Sequence, residues 1–331
     1  MAEIDLAPRA TTSSRWQRQT EHGDRIFWLL TLFFALVIVG LVVAVGVVTY
    51  NGSADVRAQY GWGFLFGAEW NPVATDVSPA TYGAWPAIRG TLLSSLFALL
   101  LAGPVGVAIG IYLAELAPLR LREPLGFMVE LLAAIPSVIY GLWGVAVFVP
   151  FFTDWVATPI SETLGDALPW LGGPVEVGRG LLVCSVVIGL MILPTIAAIT
   201  RDVLRAVPPQ QREVLLALGA TRWEVIWLAV LPYARAGIIG GVMLGLGRAL
   251  GETMAATMLI GNSTQISDSL FAPATTAASL VASELTNAND LTHESALITV
   301  ALALFGITLI LNLCARLLVW QTSRGPAGGR G

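Results

Sequence analysis

Long apolar runs separated by short polar segments dominate the pattern along this chain. Six runs reach the length of about 20 mostly apolar residues that a membrane-spanning helix needs. They cover approximately residues 26–48, 90–114, 131–152, 180–200, 236–262 and 295–315, and only the fifth contains charged side chains. The pattern predicts an all-α polytopic membrane protein with six transmembrane helices.

Composition supports the membrane assignment. Of the 331 residues, 56% are hydrophobic and 12% are charged, whereas soluble domains carry about 25% charged residues. The two cysteines, Cys184 and Cys314, lie inside apolar runs, so neither a disulfide framework nor a cysteine metal site is predicted.

The basic residues limit the possible chemistry. All 18 are arginines, so the chain has no lysine for a Walker A motif, a Schiff base or a catalytic role. His22 and His293 are the two histidines, which is too few for a histidine metal cluster. The sequence therefore predicts no enzyme, no cofactor and no metal site in this chain.

The arginines also predict the orientation, because cytoplasmic loops accumulate them. With the N-terminus inside, three arginines fall in outer segments and one, Arg248, falls within a span, which leaves fourteen of the 18 in inner segments. The three outer ones are Arg57, Arg89 and Arg179. Both termini are therefore predicted to be cytoplasmic, as is the loop at about 201–233.

These assignments divide the chain into five parts. We expect a cytoplasmic tail at 1–25, a first transmembrane helix at 26–48, an external segment at 49–89, a transmembrane domain at 90–320 and a cytoplasmic tail at 321–331. The outer segments carry eleven acidic residues against their three arginines.

The fifth span places Arg248 near the middle of the bilayer and Glu252 four residues later. A central arginine costs about 2.5–3.5 kcal/mol on insertion scales, and side chains at i and i+4 of one helix can meet. Two interpretations are open. The pair lines a solute path, with the Arg248 guanidinium matched to an oxyanion, or it is a structural ion pair that holds this helix to a neighbour.

Glycines are frequent in the same span, with small-residue spacing at 237/241/245 and at 247/251. Such rows let helices approach closely. We expect this helix to pack in the protein interior.

The third span is interrupted by proline in the segment 135–141. Proline removes a backbone hydrogen bond, and in a membrane the freed group must be satisfied by protein or by a water-filled cavity. Ser137 and Tyr140 therefore either contribute polar groups to a pathway or flank a plain proline kink.

The inner loop at 213–232 is amphipathic, with charged residues interleaved among apolar ones and a break predicted at Gly219. A short helix of this kind fits a groove on a partner protein or lies on the membrane surface. Its spacing, Glu213 then Gly219 then Leu231-Pro232, favours the partner interpretation.

The loop resembles the E-A-A-x3-G-x9-I-x-L-P loop of ABC importer permeases, with Val214 and Leu215 in place of the two alanines and Ala229 in place of the isoleucine. Together with the motifs at 135–144 and 247–255, it makes residues 26–320 similar to the phosphate-specific ABC importer permeases. Sulfate and molybdate permeases are similar around Arg-x-x-Gly-Glu but usually continue Phe-Gly-Ala, where this chain has Thr253-Met254-Ala255.

The resemblance implies the architecture of a type I importer permease in a bacterial cell membrane. It implies four kinds of partner: a second permease of the PstA type, two copies of a PstB-type ATPase that binds ATP and Mg, an external PstS-type phosphate-binding protein, and inorganic phosphate as cargo. It places Arg248 and Glu252 on the translocation pathway, where we also expect Ser137, Tyr140 and Thr253. It also implies an ATPase-coupling element that consists of Glu213, Leu218, Gly219, Ala220, Thr221, Arg222 and Trp223.

Other classes of function remain open at this point. A permease for sulfate or molybdate would use the same design. A proton-coupled secondary anion transporter could also use a buried Arg/Glu pair, and a membrane-embedded signalling subunit would bind partners without moving a solute. The last two do not account for the loop at 213–232. No nucleic acid is expected as a partner.

Overall fold

The structure of the protein is a computed structural model that describes residues 14–73, 79–173, 175, 178–288 and 290–323, with side chains between residues 24 and 321. The described residues form fifteen α-helices: α1 (Ser14–Gly52), α2 (Ala54–Tyr60), α3 (Gly63–Phe66), α4 (Trp85–Ile111), α5 (Leu119–Ala134), α6 (Ser137–Trp143), α7 (Val149–Phe152), α8 (Thr158–Leu164), α9 (Leu181–Arg205), α10 (Pro209–Ala217), α11 (Arg222–Val225), α12 (Leu231–Leu250), α13 (Met254–Leu259), α14 (Ala277–Glu284) and α15 (Leu291–Ser323).

Four single π-helical turns extend or join these helices. They are Tyr112–Leu116 after α4, Gly144–Phe148 between α6 and α7, Thr153–Ala157 between α7 and α8, and Ile226–Val230 between α11 and α12. Two isolated bridges pair Asn71 with Thr81 and Gly261 with Ala274, and no strand is present in the described ranges.

The chain divides into two units after residue 51. The first contains α1, whose segment Asp24–Gly52 is long and apolar enough to cross a membrane. The second contains five further helical segments of this kind: Trp85–Leu116, Ser137–Leu164, Leu181–Arg205, Arg222–Leu250 and Leu291–Gln321. The predicted number of six spans is therefore confirmed for the described part of the chain.

The ends of the chain differ from the prediction in one respect. Helix α1 begins at Ser14, so part of the segment predicted as a tail at 1–25 is helical. Residues 1–13 of that tail, and residues 324–331 of the predicted C-terminal tail, lie outside the described residues.

Two predicted spans have other boundaries, because the chain leaves the helical conformation inside them. In the third, residues 131–134 belong to α5, Ile135 and Pro136 are extended, and the span itself begins at Ser137. The proline therefore separates two helices instead of kinking one. In the fifth, α12 ends at Leu250 and the short α13 begins at Met254, so the predicted continuous helix at 236–262 is wrong.

Helix α9 is the centre of the second unit and packs against α4 and α12. Its residues Val187, Ile188, Met191, Ile192 and Ile196 are fully or almost fully buried. The glycine row predicted at 237/241/245 belongs to α12 and packs against α9. A Cβ at each glycine would stand 2.5 Å from Val203, 2.8 Å from Ile199 and 2.8 Å from Ile196, respectively. This part of the prediction is confirmed, since small residues allow helices to approach this closely.

The second glycine pair, 247/251, makes no comparable approach. A Cβ on Gly247 would reach one atom outside its helix, Asn312 Oδ1 at 4.0 Å, and one on Gly251 would meet only the carbonyl oxygen of Gly247. These two glycines therefore flank a loosely packed region beside Arg248.

The segment 259–276, which we call the strap, closes the predicted outer end of this helix bundle. The first N–H groups of a helix have no partner within the helix. At the start of α9, Gly180, Leu181 and Leu182 donate theirs to the carbonyls of Leu259, Ala272 and Leu270, at 3.1, 3.2 and 2.9 Å. The strap also crosses α4, and directly after it Thr91 Oγ1 of α4 accepts the N–H of Ala277, the first residue of α14, at 2.9 Å.

A second cluster of buried residues joins the segment 53–88 to α14 and α15. At its centre, Glu284 Oε2 accepts Trp70 Nε1–H at 2.9 Å and lies 3.0 Å from His293 Nε2. Tyr82 stacks on His293 with ring centroids 5.8 Å apart. His293 is therefore a buried residue in the first turn of α15.

The close approach of α4 to the strap makes a prediction about Gly90. A Cβ at this position would collide with the carbonyl oxygen of Thr275. We expect Gly90→Ala to destabilise the protein by about 1–3 kcal/mol, as overpacking does elsewhere, and to lower its midpoint of thermal unfolding in detergent.

Gly103→Ala is the matched control, since it lies in the same helix and a Cβ there meets nothing within 4 Å. It should leave the midpoint unchanged or raise it, because alanine is preferred over glycine in helices by about 1 kcal/mol. Equal midpoints for the two variants would contradict the tight contact.

Burial gives Tyr82 a measurable pH dependence. Desolvation raises the pKa of Tyr82 to about 12, and the hydroxyl has no hydrogen-bond partner among the described residues. Because the folded pKa lies above the unfolded one, its contribution to stability is complete below about pH 10 and is lost as the pH rises towards 12. We expect Tyr82→Phe to match the wild type at pH 8 and to lose less stability between pH 10 and 12, as measured by urea unfolding in detergent. A variant that is as sensitive to alkali as the wild type would rule this out.

Candidate functional site

Arg248 lies in the last turn of α12, directly before the break at 251–253. Its charge is favourable there, because the C-terminal end of a helix attracts cations. The side chain is half-buried, and Nη1 donates a hydrogen bond to Thr195 Oγ1 of α9 at 3.1 Å. The sequence does not predict Thr195 as a partner of Arg248, because a threonine after a proline is an ordinary feature of an apolar helix.

Glu252 does not pair with Arg248. No N–O distance of 4.0 Å or less joins the two side chains, both of which the structure describes. The expected i, i+4 contact is wrong because the helix ends at Leu250. Instead, Glu252 Oε1 accepts the N–H of Ala255 at 3.2 Å and so satisfies one of the free backbone donors at the start of α13. Thr253 follows in the break, where its hydroxyl donates to the carbonyl of Gly251 at 3.2 Å.

Ser137 and Tyr140 lie at the other interruption. Ser137 is the first residue of α6 and is half-buried. The Tyr140 hydroxyl reaches across the break and donates to the carbonyl of Leu132 in the last turn of α5 at 3.0 Å. This bond adds to the long backbone bond of 3.4 Å from the Ile135 N–H to the same carbonyl, which lacks its regular helical partner because Pro136 has no N–H.

The two interruptions lie against each other. A Cβ on Gly141 would stand 2.6 Å from Met258 Sδ and 3.3 Å from Ala255 Cα, so α6 and α13 pack through this glycine. Ala255 is the residue that Glu252 caps, and Gly141 follows Tyr140 directly. The fold therefore brings the interruption of the third span together with the one that follows Arg248.

The inner loop has the helix-turn-helix form that its sequence predicts. Helix α10 ends in a turn where Gly219 has φ +86°, its N–H binds the Leu216 carbonyl and the Ala220 N–H binds the Leu215 carbonyl. This is a Schellman motif. Thr221 then caps α11: its Oγ1 accepts the N–H of Glu224 at 3.3 Å, and Glu224 Oε2 accepts the N–H of Thr221 at 2.7 Å.

The apolar residues of the loop face two directions. Val225, Ile226 and Val230 are buried against the bundle. Leu218 is 78% exposed and Trp223 is 58% exposed, and Glu213, Gly219, Thr221 and Arg222 are exposed beside them, with Ala220 half-buried. An apolar patch of this kind at the end of a polytopic protein is typical of a protein interaction site.

Two arginines at the same end form ion pairs that the sequence does not predict. Arg201 binds Glu130 at 2.8 Å and Asp202 at 2.9 Å, which joins α9 to α5. Arg212 of α10 binds Glu115 at 2.6 Å. The sequence offers one weak signal for Glu115, a single carboxylate at the end of an apolar run that precedes an arginine-rich segment.

Among the described residues, no group of three or more His, Cys, Asp and Glu side chains could hold a metal ion.

Comparison with known proteins agrees with this fold. Residues 106–322 match the model of the family described as binding-protein-dependent transport system inner membrane component. The chain is 42% identical over 319 residues to the phosphate transport system permease protein PstC of Pasteurella multocida, with 96% of this chain and 98% of the relative covered. It is 39% identical to PstC 1 of Mycobacterium tuberculosis, with 91% and 94% covered.

Two solved structures share the fold. The inward-facing MetNI methionine ABC transporter matches with a TM-score of 0.51 at 20% identity, over 73% of this chain and 95% of that one. A bacterial ABC transporter that imports the acidic polysaccharide alginate matches with a TM-score of 0.52 at 17% identity, over 71% and 78%.

Six spans, two packed interruptions and an exposed helix-turn-helix loop define a multi-pass membrane permease. The chain belongs to the binding-protein-dependent transport system inner membrane component family. It is a permease subunit of an ABC importer in the bacterial cell membrane, and it works with a further permease and with a partner subunit that hydrolyses ATP.

The turn at Gly219 makes a prediction about assembly. A residue with a Cβ is disfavoured at φ +86° by about 1–2 kcal/mol. We expect Gly219→Ala to distort the exposed patch and to weaken retention of the ATPase subunit by about 5–30-fold, measured by co-purification. Gly240→Ala is the control, because a Cβ there meets nothing within 4 Å and the backbone is helical. Unchanged retention in Gly219→Ala would show that the turn geometry is unimportant for assembly.

Proposed function

We propose that this chain is the permease subunit of an ATP-driven phosphate importer and forms half of its translocation pathway. Its partners in this proposal are a PstA-type permease, two copies of a PstB-type ATPase and an external PstS-type phosphate-binding protein. The chain itself holds no cofactor, and ATP and Mg bind to the ATPase. One observation carries the proposal: relatives that match more than nine-tenths of this chain at 42% and 39% identity are named phosphate transport permeases.

Arg248 is the residue that suits an anion best. A guanidinium carries five N–H donors in a planar fork that fits two oxygens of a phosphate. In the described part of the chain, its hydrogen bonding is limited to Nη1 and Thr195, so further donors remain for a passing anion. Because Glu252 caps α13 instead of neutralising Arg248, the positive charge is available to the cargo.

The break beside Arg248 suits a pathway for a second reason. Irregular backbone inside a membrane is tolerated where it is buried in protein or lines a water-filled cavity. Residues 251–253 and 135–136 both leave the helical conformation, and Ser137, Tyr140 and Thr253 lie at these two breaks. We assign all three to the pathway with Arg248 and Glu252.

The exposed loop supplies the energy input in this proposal. The patch from Glu213 to Trp223 binds the ATPase. Closure of the ATPase dimer moves the loop and switches the translocation pathway between an inward-open and an outward-open orientation. Such coupling requires that each orientation bind the partners with a different affinity. The predicted cytoplasmic position of the loop is consistent with this role.

The test is reconstitution of the complete importer in liposomes. Phosphate should stimulate ATP hydrolysis and accumulate inside the vesicles, and sulfate at the same concentration should do neither. Stimulation by sulfate or molybdate instead would identify a different oxyanion permease. Uptake by this chain alone, without ATPase, would identify a secondary transporter.

Replacement of Arg248 tests the pathway. We expect Arg248→Gln to assemble normally and to lower phosphate uptake at least about tenfold, because hydrogen bonds to charged groups contribute about 1.5–3 kcal/mol. Thr195→Val should have a smaller effect of the same kind, since it removes only the group that orients the guanidinium. Arg205→Gln, an exposed position at the end of α9, is the control and should transport normally. Wild-type uptake by Arg248→Gln would assign the arginine a structural role.

A further inference from the structure

The guanidinium of Arg212 holds three elements together at the predicted inner end. Its Nε and Nη2 donate to the two carboxylate oxygens of Glu115, at 3.3 and 2.6 Å. Nη1 donates to the carbonyl of Val207 at 2.7 Å, and Nη2 donates also to the carbonyl of Leu204 at 2.8 Å. Arg212 belongs to α10, Glu115 to the π-helical turn that ends α4, and the two carbonyls to the last turn of α9 and the segment after it.

These contacts are strong for physical reasons that reinforce one another. The last carbonyls of α9 have no partner within the helix, and the C-terminal end of a helix attracts a cation. The two-point contact with Glu115 uses the planar fork of the guanidinium. Both side chains are largely shielded, with 23% of Arg212 and 13% of Glu115 exposed, so water and salt screen the pair weakly.

The other contacts of α10 with the membrane helices are mainly apolar and lie at the surface. No residue of α10 is buried, and Leu215, which is half-buried, packs against the apolar cluster at the inner ends of α4, α9 and α12. On its other side, an open groove separates the helix from the start of α12, between Gln210, Gln211 and Val214 on one wall and Leu228, Pro232 and Tyr233 on the other. Apart from the three-residue link at 206–208 and the contact of α10 with the π-helical turn Ile226–Val230, Arg212 supplies the ionic attachment of α10 to the membrane helices.

We propose that Arg212 is a positioning residue for energy coupling, which makes α10 move as one body with the inner ends of α4 and α9. The inference rests on the proposed function of the loop as the ATPase contact. Displacement of α10 then reaches α9 through the Leu204 and Val207 carbonyls. Thr195 lies nine residues before Leu204 on the same helix, about 14 Å along its axis, and binds Arg248. A continuous set of contacts thus joins the exposed loop to the pathway arginine.

The first experiment measures the phosphate transported per ATP hydrolysed by the reconstituted importer. Arg212→Gln should keep ATP hydrolysis and lower this ratio at least about tenfold, since breaking a shielded ion pair is strongly unfavourable. Arg212→Lys should give an intermediate ratio, because an ammonium cannot reproduce the fork. The double variant Arg212→Gln/Glu115→Gln should be no worse than Arg212→Gln alone, because the two residues act through one contact. Arg205→Gln should keep the wild-type ratio.

A purely structural role gives a different result. Transport and ATP hydrolysis would then fall in parallel with the amount of complex, and the ratio would stay constant, which would overturn the proposal. If Arg212→Gln fails to assemble, the milder Arg212→Lys and Glu115→Gln variants decide the question by the same ratio.

The second experiment does not depend on the identity of the cargo. Nitroxide labels at Gln211 of α10 and at Leu92 near the outer end of α4, in a background where Cys184 and Cys314 are alanine, report the distance between the two helices in the assembled importer. In the labelled protein that keeps Arg212, the distribution of this distance should be narrow and should not change when ATP is added. In the labelled Arg212→Gln variant, the distribution should broaden or shift. A distance that responds to ATP equally in both proteins would overturn the inference. Failure of phosphate to accumulate in the wild type would instead count against the proposed function.

Discussion

Every peptide group within a membrane needs a hydrogen-bond partner from the protein, and this requirement explains much of how the second unit is organised. The chain leaves the helical conformation at 135–136 and at 251–253. In each case a polar side chain replaces a lost backbone partner: the Tyr140 hydroxyl binds the Leu132 carbonyl, and the Glu252 carboxylate binds the Ala255 N–H. Packing of α6 on α13 through Gly141 brings the two sites together. A membrane protein can therefore keep irregular backbone at a functional position, provided that nearby side chains form the hydrogen bonds that the helix no longer supplies.

The arginines at helix ends follow a related rule. Arg248 ends α12, Arg201 lies in the last two turns of α9, and Arg212 binds the carbonyls at the end of that helix. A guanidinium suits this position because its several donors can satisfy carbonyls and a carboxylate at once. A lysine ammonium is a compact, strongly hydrated charge without this planar geometry, and the chain contains none. Its cations are thus of the type that tolerates partial burial in several hydrogen bonds.

Features set by local sequence could be predicted, and features set by tertiary packing could not. Apolar length predicts the six spans, and Gly219 predicts the turn between α10 and α11, because both depend on neighbouring residues. The glycine row at 237/241/245 predicts a close helix contact, although not that Val203, Ile199 and Ile196 provide it. The end of α12 at Leu250 was missed because residues 251–262 are nearly as apolar as a helix interior. The partners of Arg248 and Arg212 come from α9 and from the end of α4, 53 and 97 residues away in the chain, and no periodicity connects them.

The strap has a mechanical consequence for α9. Three backbone hydrogen bonds fasten the first turn of this helix, while its opposite end continues through residues 206–208 into the exposed loop and is also bound there by the Arg212 guanidinium. A helix of 25 residues is about 37 Å long, so a pivot with the strap as its fulcrum would move its far end the most. A tilt of about 5° at the fulcrum moves the far tip by roughly 3 Å over that length, and Thr195, just past the midpoint, travels somewhat more than half as far. Such a pivot would therefore deliver somewhat more than half of the movement at the end of α9 to the hydroxyl that binds Arg248.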